Sequence, residues 1–570
     1  MEKISVPIIG IDLGTTYTVC AYYDQEEKTS KILPIEQPWN GWEKDKFKQS
    51  KQLSSTVFLH QSENALTYAY VGHFCNELRK YPVQDQTYRL FKSIKRQMGT
   101  GWKTRFNDTI WTPPIISGII LKTVSNSVQS YFGCAPEHVV ITVPAAFSTE
   151  QRRETIAAAK LAGFDHKKIR LIDEPTAALL YYIVKNPQEF INQEQKYITM
   201  LDIGGGTFDV SIIEVSGSND KLAIDTIACS RYNEVAGDDF DLNLAALLLE
   251  KMKGGLAYFE GLDKQEQRNF AWRLLAEAER IKKEISISAS QKSKVSRIEL
   301  KRSPPESPYR IDELPQKRRL ADTIIFQELT AVLEPYFYLD KQNKSKNLYY
   351  PTIYKPILEA FDTANKVLEM TDFGHDTIDK VFCTGGSSRL YHFQEVIGKF
   401  FGQQPKIIDP DFAVARGASL FYPITDNKVT IGEQSIKISF KRRLFDGVYL
   451  KSEKGKLLEI IPPNIPIPSE RGTQDIGLVM PRQDYRLTIE VYIGRGSDDS
   501  LMLSCPKQEI HFSNLIPENT PIHIGYTITD DNQVHLAFTT GNHEGKLQIV
   551  DDYNLGLDKF RLPEVNRVSR

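Results

Sequence analysis

Long apolar runs and an excess of charge of one sign are both missing from this sequence. No stretch approaches the roughly 18–20 apolar residues that cross a bilayer, and candidates such as Ile115–Leu121 contain Ser and Gly. The 71 Lys and Arg residues nearly balance the 73 Asp and Glu residues, whereas polyanion-binding proteins normally carry a strong basic excess. We therefore expect neither a membrane-spanning protein nor a nucleic-acid partner.

Cysteine is also scarce. The six cysteines, at positions 20, 75, 134, 229, 383 and 505, are too far apart for a CxxC motif and too few for a disulfide scaffold. The first residues lack the small-residue cleavage pattern of a secretory signal, and Asp12 interrupts their apolar stretch. These features predict a cytoplasmic protein with reduced, mostly buried cysteines.

The length of 570 residues suggests three or four compact units of roughly 150 residues each. Apolar β-branched runs alternate with helical patterns up to about residue 424, which is typical of an α/β sheet. The predicted strands are Ile8–Leu13, Val139–Val143, Ile169–Asp173, Ile198–Asp202 and Ile378–Thr384. The predicted helices are Phe270–Ile285, Phe412–Leu420 and Ser148–Gly163, the last with a capping box of Ser148 and Gln151.

The pattern changes after about Tyr422. Short alternating segments separated by Pro, Gly and Asn are typical of an antiparallel β-sandwich. The predicted strands there are Lys437–Phe440, Lys456–Ile461, Arg486–Ile493, Ile522–Thr529 and Gln533–Thr539, with Asp530–Asn532 as a hairpin turn. The Pro- and charge-rich segment Arg302–Arg319 and the polar stretch Asp340–Asn347 are predicted to be surface insertions.

Two glycine-rich segments carry the most specific chemical signal. Gly10–Tyr17 and Leu201–Asp209 each follow a predicted strand and combine an Asp, a glycine turn and Thr. Glycine lets the backbone approach phosphate oxygens, Thr hydroxyls donate hydrogen bonds, and the Asp can hold hydrated Mg²⁺. One such loop alone is more often a structural turn. Two of them, about 190 residues apart, predict a duplicated fold that holds phosphates from both sides.

These loops resemble the paired phosphate loops of the actin-like ATPase superfamily. Further segments match the 70-kDa heat-shock chaperone (DnaK-type) family in order: Val140–Phe147, Asp173–Ala178, Ala236–Asp241 and Gly385–Arg389. The resemblance covers residues 6 to 424 and identifies the chain as a divergent member of that family. It implies an α/β actin-like ATPase domain of duplicated RNase H-like halves in four subdomains, followed by an all-β sandwich domain.

The resemblance also implies a site for ATP or ADP with Mg²⁺. The residues that match the family's catalytic set are Lys95, Glu174, Asp202 and Thr207, and those that match its metal-holding carboxylates, through water, are Asp12 and Asp202. The residues that match its nucleotide-binding set are Gly14, Thr15, Thr16, Tyr17, Gly204, Gly205, Gly206, Gly237, Glu279, Lys282, Lys283, Ser286, Gly385, Gly386, Ser387, Arg389 and Asp411. Pro144 and Arg152 match the relay that carries nucleotide state to the neighbouring domain. Phosphoryl transfer needs positioning and charge neutralisation, so this set is sufficient for hydrolysis.

Two residues depart from the family pattern. Lys283 stands where the family usually has Arg, whose planar guanidinium can stack on a base, so a lower nucleotide affinity is expected. Ala236 replaces the first glycine of a pair, which is expected to narrow the approach to a phosphate.

The resemblance implies the domain boundaries 1–424 for the ATPase domain, 425–436 for a linker, 437–550 for the β-sandwich and 551–570 for a tail without a helical lid. In the family, an extended apolar peptide lies in a groove of the sandwich. Leu457 and Leu487 are candidates for its central pocket or, equally, for the sandwich core.

Three further departures concern clients. The linker region Pro423–Gln434 has only scattered apolar residues, so weak coupling between the domains is expected. The loop Lys451–Gly455 is charged where the family is usually apolar, so an altered groove is expected. Without a lid, peptides should dissociate quickly, because affinity differences between related complexes lie mainly in the off-rate.

Three functions stay open on the sequence alone. The leading one is an ATP-dependent molecular chaperone that couples ATP hydrolysis to binding of unfolded polypeptide, with J-domain and nucleotide-exchange co-chaperones as implied partners. The second is a nucleotide-regulated interaction protein, such as a co-chaperone, exchange factor or scaffold, with little client binding. A small-molecule kinase on the same duplicated fold is disfavoured by the sandwich and by the segment Glu174–Ala178.

Overall fold

The computed structural model of the chain describes residues 7–63, 66–78, 87–190, 195–218, 221–231, 235–337, 352–425, 437–451, 457–494, 503–504, 507–529, 534–547, 557 and 560–566. Within these ranges the chain forms two α/β halves and a β-rich part. Each of the three has its own large hydrophobic cluster, and a further cluster lies between the two halves.

The first α/β half is built around a central sheet with the strand order β13-β12-β1-β2-β3. A smaller sheet, in which β7 lies between β8 and β9, lies beside the central sheet. The elements of this half are β1 (Ile8–Leu13), β2 (Tyr17–Asp24), β3 (Thr29–Leu33), β4 (Ile35–Pro38), β5 (Phe47–Ser50), β6 (Leu53–Ser54), β7 (Val57–Gln61), β8 (Thr67–Val71), α1 (His73–Glu77), β9 (Tyr88–Phe91), β10 (Thr104–Phe106), β11 (Thr109–Trp111), α2 (Pro113–Phe132), β12 (His138–Val143), α3 (Thr149–Leu161), β13 (Ile169–Asp173) and α4 (Glu174–Lys185).

The second α/β half has a central sheet with the order β20-β19-β14-β15-β16. Its elements are β14 (Lys196–Ile203), β15 (Phe208–Ser218), β16 (Lys221–Cys229), α5 (Gly237–Lys251), α6 (Gly255–Glu260), α7 (Lys264–Val295), α8 (Arg297–Arg302), β17 (Glu306–Leu314), β18 (Arg318–Ile325), α9 (Phe326–Phe337), α10 (Tyr354–Leu368), β19 (Lys380–Thr384), α11 (Tyr391–Phe401), β20 (Lys406–Ile407) and α12 (Ala413–Thr425).

The two central sheets have the same strand order and the same strand directions. In each, an antiparallel meander (β1-β2-β3 or β14-β15-β16) is extended by two parallel strands (β12-β13 or β19-β20). The helices that follow the last parallel strands, α4 and α12, pack against each other between the halves. Gly417 makes this close crossing possible, because a Cβ there would lie 1.7 Å from the Ala177 carbonyl oxygen.

Most predicted elements of the α/β halves are present. The strands β1 and β13 begin and end where the sequence predicts, and β12, β14 and β19 differ by one or two residues at their ends. Helix α3 has the predicted capping box, in which the Gln151 N–H donates to Ser148 Oγ and the Ser148 N–H donates to Gln151 Oε1. Four of the five described cysteines are buried and all five are free.

The prediction of a surface insertion at Arg302–Arg319 is wrong. These residues begin an antiparallel hairpin, β17 and β18, that packs into the core of the second half. Tyr309, Ile311, Leu320 and Ile324 alternate along the two strands and are buried. Proline and the many charged residues on the outer face obscured this period-two pattern in the sequence. Asp340–Asn347 lies outside the described residues.

The β-rich part contains two four-stranded sheets, β23-β22-β27-β28 and β25-β30-β31-β32, and the strand pair β26-β29. Its elements are β21 (Lys437–Leu444), β22 (Gly447–Lys451), β23 (Leu457–Ile461), β24 (Ile465–Ile467), β25 (Ser469–Val479), β26 (Asp484–Ile489), β27 (Val491–Gly494), β28 (Leu503–Ser504), β29 (Gln508–Ile516), β30 (Pro521–Ile528), β31 (Val534–Thr540) and β32 (His543–Leu547).

Two predictions for the β-rich part need correction. Arg486–Ile493 is not one strand, because the chain leaves β26 at Ile489 and enters a different sheet with β27 at Val491. Lys437–Phe440 does not pair within the sandwich. It continues the second α/β sheet, parallel to β16, and only Arg442–Leu444 pair with β24.

The predicted client groove is described only in part. Leu487 is buried in the hydrophobic cluster of the β-rich part, and Leu457 is half-buried. β30 and β31 form the predicted antiparallel hairpin, but its turn at Asp530–Asn532 lies outside the described residues, as do residues 452–455 of the charged loop.

A last strand, β33 (Glu564–Val565), pairs in parallel with β8 of the first half. Among the helices of the described ranges, none combines the length and apolarity needed to cross a bilayer.

Candidate functional site

A cavity of about 440 Å³ lies between the two α/β halves. Of the predicted catalytic, metal and nucleotide-binding residues, all except Gly206 line it. The structure also brings residues to its wall that the sequence analysis did not assign to the site, namely Val19, Gln52, Asp238, Phe240, Asp241, Ile287, Leu390, Pro410 and Val414.

The two glycine-rich loops occupy equivalent positions in the two sheets. Asp12 in β1 lies opposite Thr142 of the parallel neighbour, and Asp202 in β14 lies opposite Thr384 in the same way. Each loop then connects to an antiparallel strand of the same sheet. The matching positions in the two sheets therefore bring two Asp side chains and two glycine-rich turns to one cavity.

Three glycines of these loops, Gly14, Gly205 and Gly206, lie too close to neighbouring atoms for a side chain. A Cβ on Gly14 would lie 2.2 Å from the Tyr17 carbonyl oxygen, and a Cβ on Gly205 would lie 2.1 Å from Thr16 Oγ1 of the opposite loop. Thr16 Oγ1 is buried and has no hydrogen-bond partner among the described residues. Gly206 lies behind the cavity wall, where a Cβ would lie 2.6 Å from Thr15 Cγ2. These close approaches leave no room for a Cβ at Gly14, Gly205 or Gly206.

A buried ion pair lies at the base of the cavity. Lys95, in a short 3₁₀ turn (Ile94–Gln97), places Nζ 2.5 Å from Glu174 Oε1, where α4 begins. Lys95 is 7% exposed and Glu174 is 6% exposed. Burial lowers the pKa of Lys95, but the charges of Glu174, Asp12 and Asp209 and the bond to Glu174 outweigh this and raise the pKa. Lys95 is therefore a fixed positive charge facing three carboxylates.

The three Asp carboxylates near this lysine, Asp12, Asp202 and Asp209, have raised pKa values. Burial, followed by repulsion from Glu174, raises the pKa of Asp12 to about 7. The same two causes raise the pKa of Asp209 to about 7 and raise that of Asp202 well above its ordinary value. Asp209 was not assigned a role from the sequence. Its position directly opposite Asp202 in the β14–β15 ladder comes from the hairpin, although its place right after the loop was a usable signal.

These residues fit a divalent cation. Asp12, Asp202, Asp209 and Glu174 outnumber Lys95 and Glu174 repels each of the three Asp carboxylates, so the buried cluster is short of positive charge. Asp oxygens and water are the ligands that Mg²⁺ prefers. Within the described ranges, no group of three or more Asp, Glu, His or Cys side chains is arranged to hold a metal directly. The predicted arrangement, in which Asp12 and Asp202 act through water, stays a prediction.

One face of α7 forms part of the cavity wall. Glu279, Lys282, Lys283 and Ser286 are spaced at three and four residues and so share that face. Lys282 Nζ donates to the Gly237 carbonyl at 2.9 Å and lies 2.8 Å from Asp241 Oδ1. Lys282 therefore holds α5 against α7, while Lys283, 2.7 Å from Glu279 Oε1, stays partly exposed.

The opposite part of this wall is formed by a second short turn, Gly386–Arg389. The Arg389 guanidinium makes two hydrogen bonds to the Asp411 carboxylate, at 2.8 and 2.5 Å. This bidentate pair fixes a planar group beside the apolar side chains of Ile287, Pro410 and Val414, which suits a flat aromatic ligand.

The two halves also contact each other directly at the cavity rim. Asp238 of α5 accepts a hydrogen bond from Ser93 Oγ at 2.8 Å and lies 3.1 Å from Lys92 Nζ. Ala236 does not narrow the cavity, because its side chain packs in the hydrophobic core and Gly237 faces the cavity instead. A Cβ on Gly237 would lie 2.6 Å from Ser387 Oγ.

The predicted relay pair is buried between the cavity and the β-rich part. Arg152 is 3% exposed and donates to Asp173 Oδ1 at 2.7 Å and to the carbonyls of Ala145 and Phe147. It also reaches the Pro144 carbonyl at 3.5 Å. Phe445 of the β-rich part packs in a small cluster with Cys229 and with Ala145, whose carbonyl accepts a hydrogen bond from Arg152. The loop that contains Ala145 therefore contacts both Arg152 and the β-rich part.

Comparisons with known proteins agree with this architecture. Residues 72–305 and 348–499 match the family model described as Hsp70 protein. The chain is 32% identical over 463 residues to "Chaperone protein DnaK" of Thermotoga petrophila, a match that spans 81% of this chain and 66% of that protein. It is 30% identical over 570 residues to "Chaperone protein DnaK" of Thermosipho melanesiensis, a match that spans 98% of this chain and 82% of that protein. The chain belongs to the Hsp70 family.

Proposed function

We propose that this protein is an ATP-dependent molecular chaperone that hydrolyses ATP with Mg²⁺ in the cavity between its two α/β halves. In this proposal the halves are the duplicated RNase H-like halves of an actin-like ATPase domain, arranged as four subdomains over residues 1–424. Residues 425–436 are a linker. Residues 437–550 are the β-rich part, whose strands beyond Lys441 form a β-sandwich that binds client polypeptide. The matching strand order of the two central sheets supports the duplication.

The observation that carries the proposal is the buried Lys95–Glu174 pair among Asp12, Asp202 and Asp209. A merely structural ion pair needs one partner for each charge, whereas this cluster holds more carboxylates than its lysine neutralises. Phosphoryl transfer requires positive charge near the transferred group and a positioned water molecule. A fixed lysine beside carboxylates that can hold a hydrated cation meets both needs.

Each part of the cavity has a separate role in this proposal. Thr15, Thr16 and the loop backbone bind the phosphates, and Thr207 donates to the outermost phosphate. Lys95 orients the attacking water and the outermost phosphate, while Glu174 holds Lys95 in place. Bound Mg²⁺, held by Asp12 and Asp202 through water, would neutralise phosphate charge. The face of α7 with Ser286 and the Arg389–Asp411 pair hold the ribose and base.

The first strand of the β-rich part supports coupling between hydrolysis and client binding. The predicted linker has only scattered apolar residues, but Ile438 and Phe440 in β21 pack against the second half, and Lys437–Lys441 pair with β16. Arg443 Nη2 also lies 3.3 Å from Asp225 Oδ2 of β16. A change in the α/β halves can therefore reach the sandwich through one continuous strand.

The proposed partners follow from family membership. The clients are unfolded or extended polypeptides, and J-domain proteins and nucleotide-exchange factors are the proposed co-chaperones. The proposed location is the cytoplasm.

Single-turnover ATP hydrolysis with Mg²⁺, measured with and without extended apolar peptides, tests this function. Hydrolysis that rises with peptide, and that is lost in the variants Asp202→Asn and Thr207→Ala, is the expected result. These two variants also control for contaminating ATPase. Each removes one side-chain group that lines the cavity, so any hydrolysis that remains in them comes from another protein.

The opposite result has a defined meaning. ATP that binds tightly but is not hydrolysed would refute the ATPase proposal. Hydrolysis that no peptide changes would refute the coupled chaperone and favour the nucleotide-regulated interaction protein.

A further inference from the structure

One edge of the small sheet in the first half is covered by a segment distant in sequence. We call Phe560–Asn566 the strap segment. Within it, Glu564 lies opposite Tyr68 and Val565 lies opposite Ala69 of β8. The Asn566 N–H donates to the Ala69 carbonyl at 2.8 Å, and the Val71 N–H donates to Asn566 Oδ1 at 2.9 Å. The strap segment thus satisfies backbone groups that an edge strand would leave unpaired.

Apolar side chains anchor the strap segment beside this pairing. The Phe560 ring contacts the Trp111 ring edge-to-face with their centroids 6.0 Å apart. Leu562 reaches the groove between α2 and α3, where Gly118 leaves space. A Cβ on Gly118 would lie 3.6 Å from Leu562 Cδ1 and 3.2 Å from Leu161 Cβ. Phe560, Leu562 and Val565 all pack against the core cluster of the first half.

This combination is a known mode of peptide recognition. Main-chain pairing at a sheet edge provides affinity, and pockets for alternate side chains provide specificity. Asn566 adds a third feature, because it adopts the left-handed conformation, with φ of 52°, that Asn tolerates better than most residues. The pairing therefore ends at a residue suited to turn the chain away from β8.

We propose that the β8 edge is a strand-docking site for an extended peptide with the pattern of the strap segment, and that this chain's own strap segment is its occupant. Leu547, where β32 ends, is thirteen residues before Phe560. An extended chain of that length spans at most about 45 Å. A docked strap segment therefore keeps the end of β32 within about 45 Å of the first half. This restraint does not depend on the pairing of β21 with β16.

The test uses the full chain without nucleotide, as wild type and as the double variant Leu562→Asp/Val565→Asp. The probe is a fluorescein-labelled peptide with the sequence of residues 557–570. Hydrogen exchange at the Val71 amide should be at least about tenfold faster in the double variant, because its acceptor is released. Labelled peptide should bind the double variant and restore slow exchange at Val71. Wild type should exclude it, because a linked segment has an effective concentration of about millimolar.

Controls separate docking from general damage. Val479→Asp adds the same charge at a residue of the β-rich part that is 40% exposed, and it should leave Val71 exchange unchanged. A peptide of scrambled sequence should not bind. Asn566→Ala, which removes only one side-chain acceptor, should speed Val71 exchange less than the double variant, and it serves if the double variant does not fold.

Three outcomes would overturn the proposal. Unchanged Val71 exchange in the variants would show that the strap segment does not cover the edge. Peptide binding without protection of Val71 would place the peptide elsewhere, for instance in a client groove. Wild-type dimers that dissociate in the double variant would assign the strap segment to a second copy of the chain.

Discussion

At the scale of single residues, the chemistry of the cavity depends on charges that burial forces to interact. Lys95 and Glu174 are both almost completely buried, and breaking such a pair by removing one partner costs about 3–5 kcal/mol. Replacing both partners of such a pair with apolar residues is often neutral or stabilising, so stability alone does not account for the pair. Its place among Asp12, Asp202 and Asp209 is the feature on which the proposed phosphoryl transfer depends.

Lys95→Met is expected to reduce single-turnover ATP hydrolysis by about 100- to 1,000-fold, the usual effect of removing one transition-state charge. ATP should still bind, because the phosphate loops and the α7 wall are untouched. Hydrolysis and equilibrium nucleotide binding, measured on the same folded sample, check this. A variant that loses nucleotide binding as much as hydrolysis would contradict the assigned role.

Lys283→Arg is expected to tighten nucleotide binding by about threefold to tenfold, since a planar guanidinium can stack on the base and an ammonium cannot. Lys283 has room to change because its side chain is 55% exposed. Calorimetric titration with ADP measures the difference, and Lys292→Arg, at a residue of α7 that does not line the cavity, is the matched control. Unchanged affinity in Lys283→Arg would mean that this side chain does not face the base.

At the scale of elements, β21 joins two sheets that sequence patterns treat as separate. Its alternation places Ile438 against the second half and leaves Ser439 exposed. Ile438→Asp should abolish stimulation of hydrolysis by peptides and keep the basal rate, because a charge at this buried position separates β21 from β16. Ser439→Asp is the control on the opposite face. Equal stimulation in both variants would refute coupling through β21.

Helix α11 contains a histidine whose burial predicts a pH effect. Desolvation lowers the pKa of His392 to about 4 from 6.5. The neutral ring is therefore favoured in the folded state, so its stabilisation is complete above pH 6.5 and declines as the pH falls towards 4. In urea unfolding, wild type should lose about 2 kcal/mol more than His392→Gln between pH 7 and pH 4.5. Parallel pH profiles of the two proteins would contradict this assignment.

At the scale of the whole molecule, described contacts hold the β-rich part to the α/β halves at separate places. Phe445 packs with Ala145 and Cys229, and Arg443 lies 3.3 Å from Asp225. The strap segment adds a contact with the first half. Because the Phe445 contact adjoins the loop that Arg152 holds, docking of the β-rich part and the state of the cavity should be linked.

Phe445→Asp is expected to increase the radius of gyration measured by X-ray scattering, since burying a carboxylate without a partner against Ala145 is unfavourable. The increase in the radius of gyration should be larger when Phe445→Asp is combined with Leu562→Asp. In that double variant the strap segment no longer limits how far the β-rich part can move from the first half. Arg482→Asp, at an exposed residue of the β-rich part, is the control. Unchanged scattering in the combined variant would show that neither contact holds the β-rich part.

The sequence alone determined the parts of this protein that depend on local spacing. Glycine two residues after Asp12 and Asp202 and the capping box of α3 each specify a local geometry, and the site residues on α7 could be named in advance because their segment resembles the DnaK-type family. Only the tertiary structure decided which distant segments pair. β21 lies beside β16, the strap segment lies beside β8, and Arg302–Arg319 joins a packed hairpin. The physical reason is that backbone hydrogen bonds between strands carry no residue code, so an open sheet edge accepts whichever extended segment the rest of the fold brings to it.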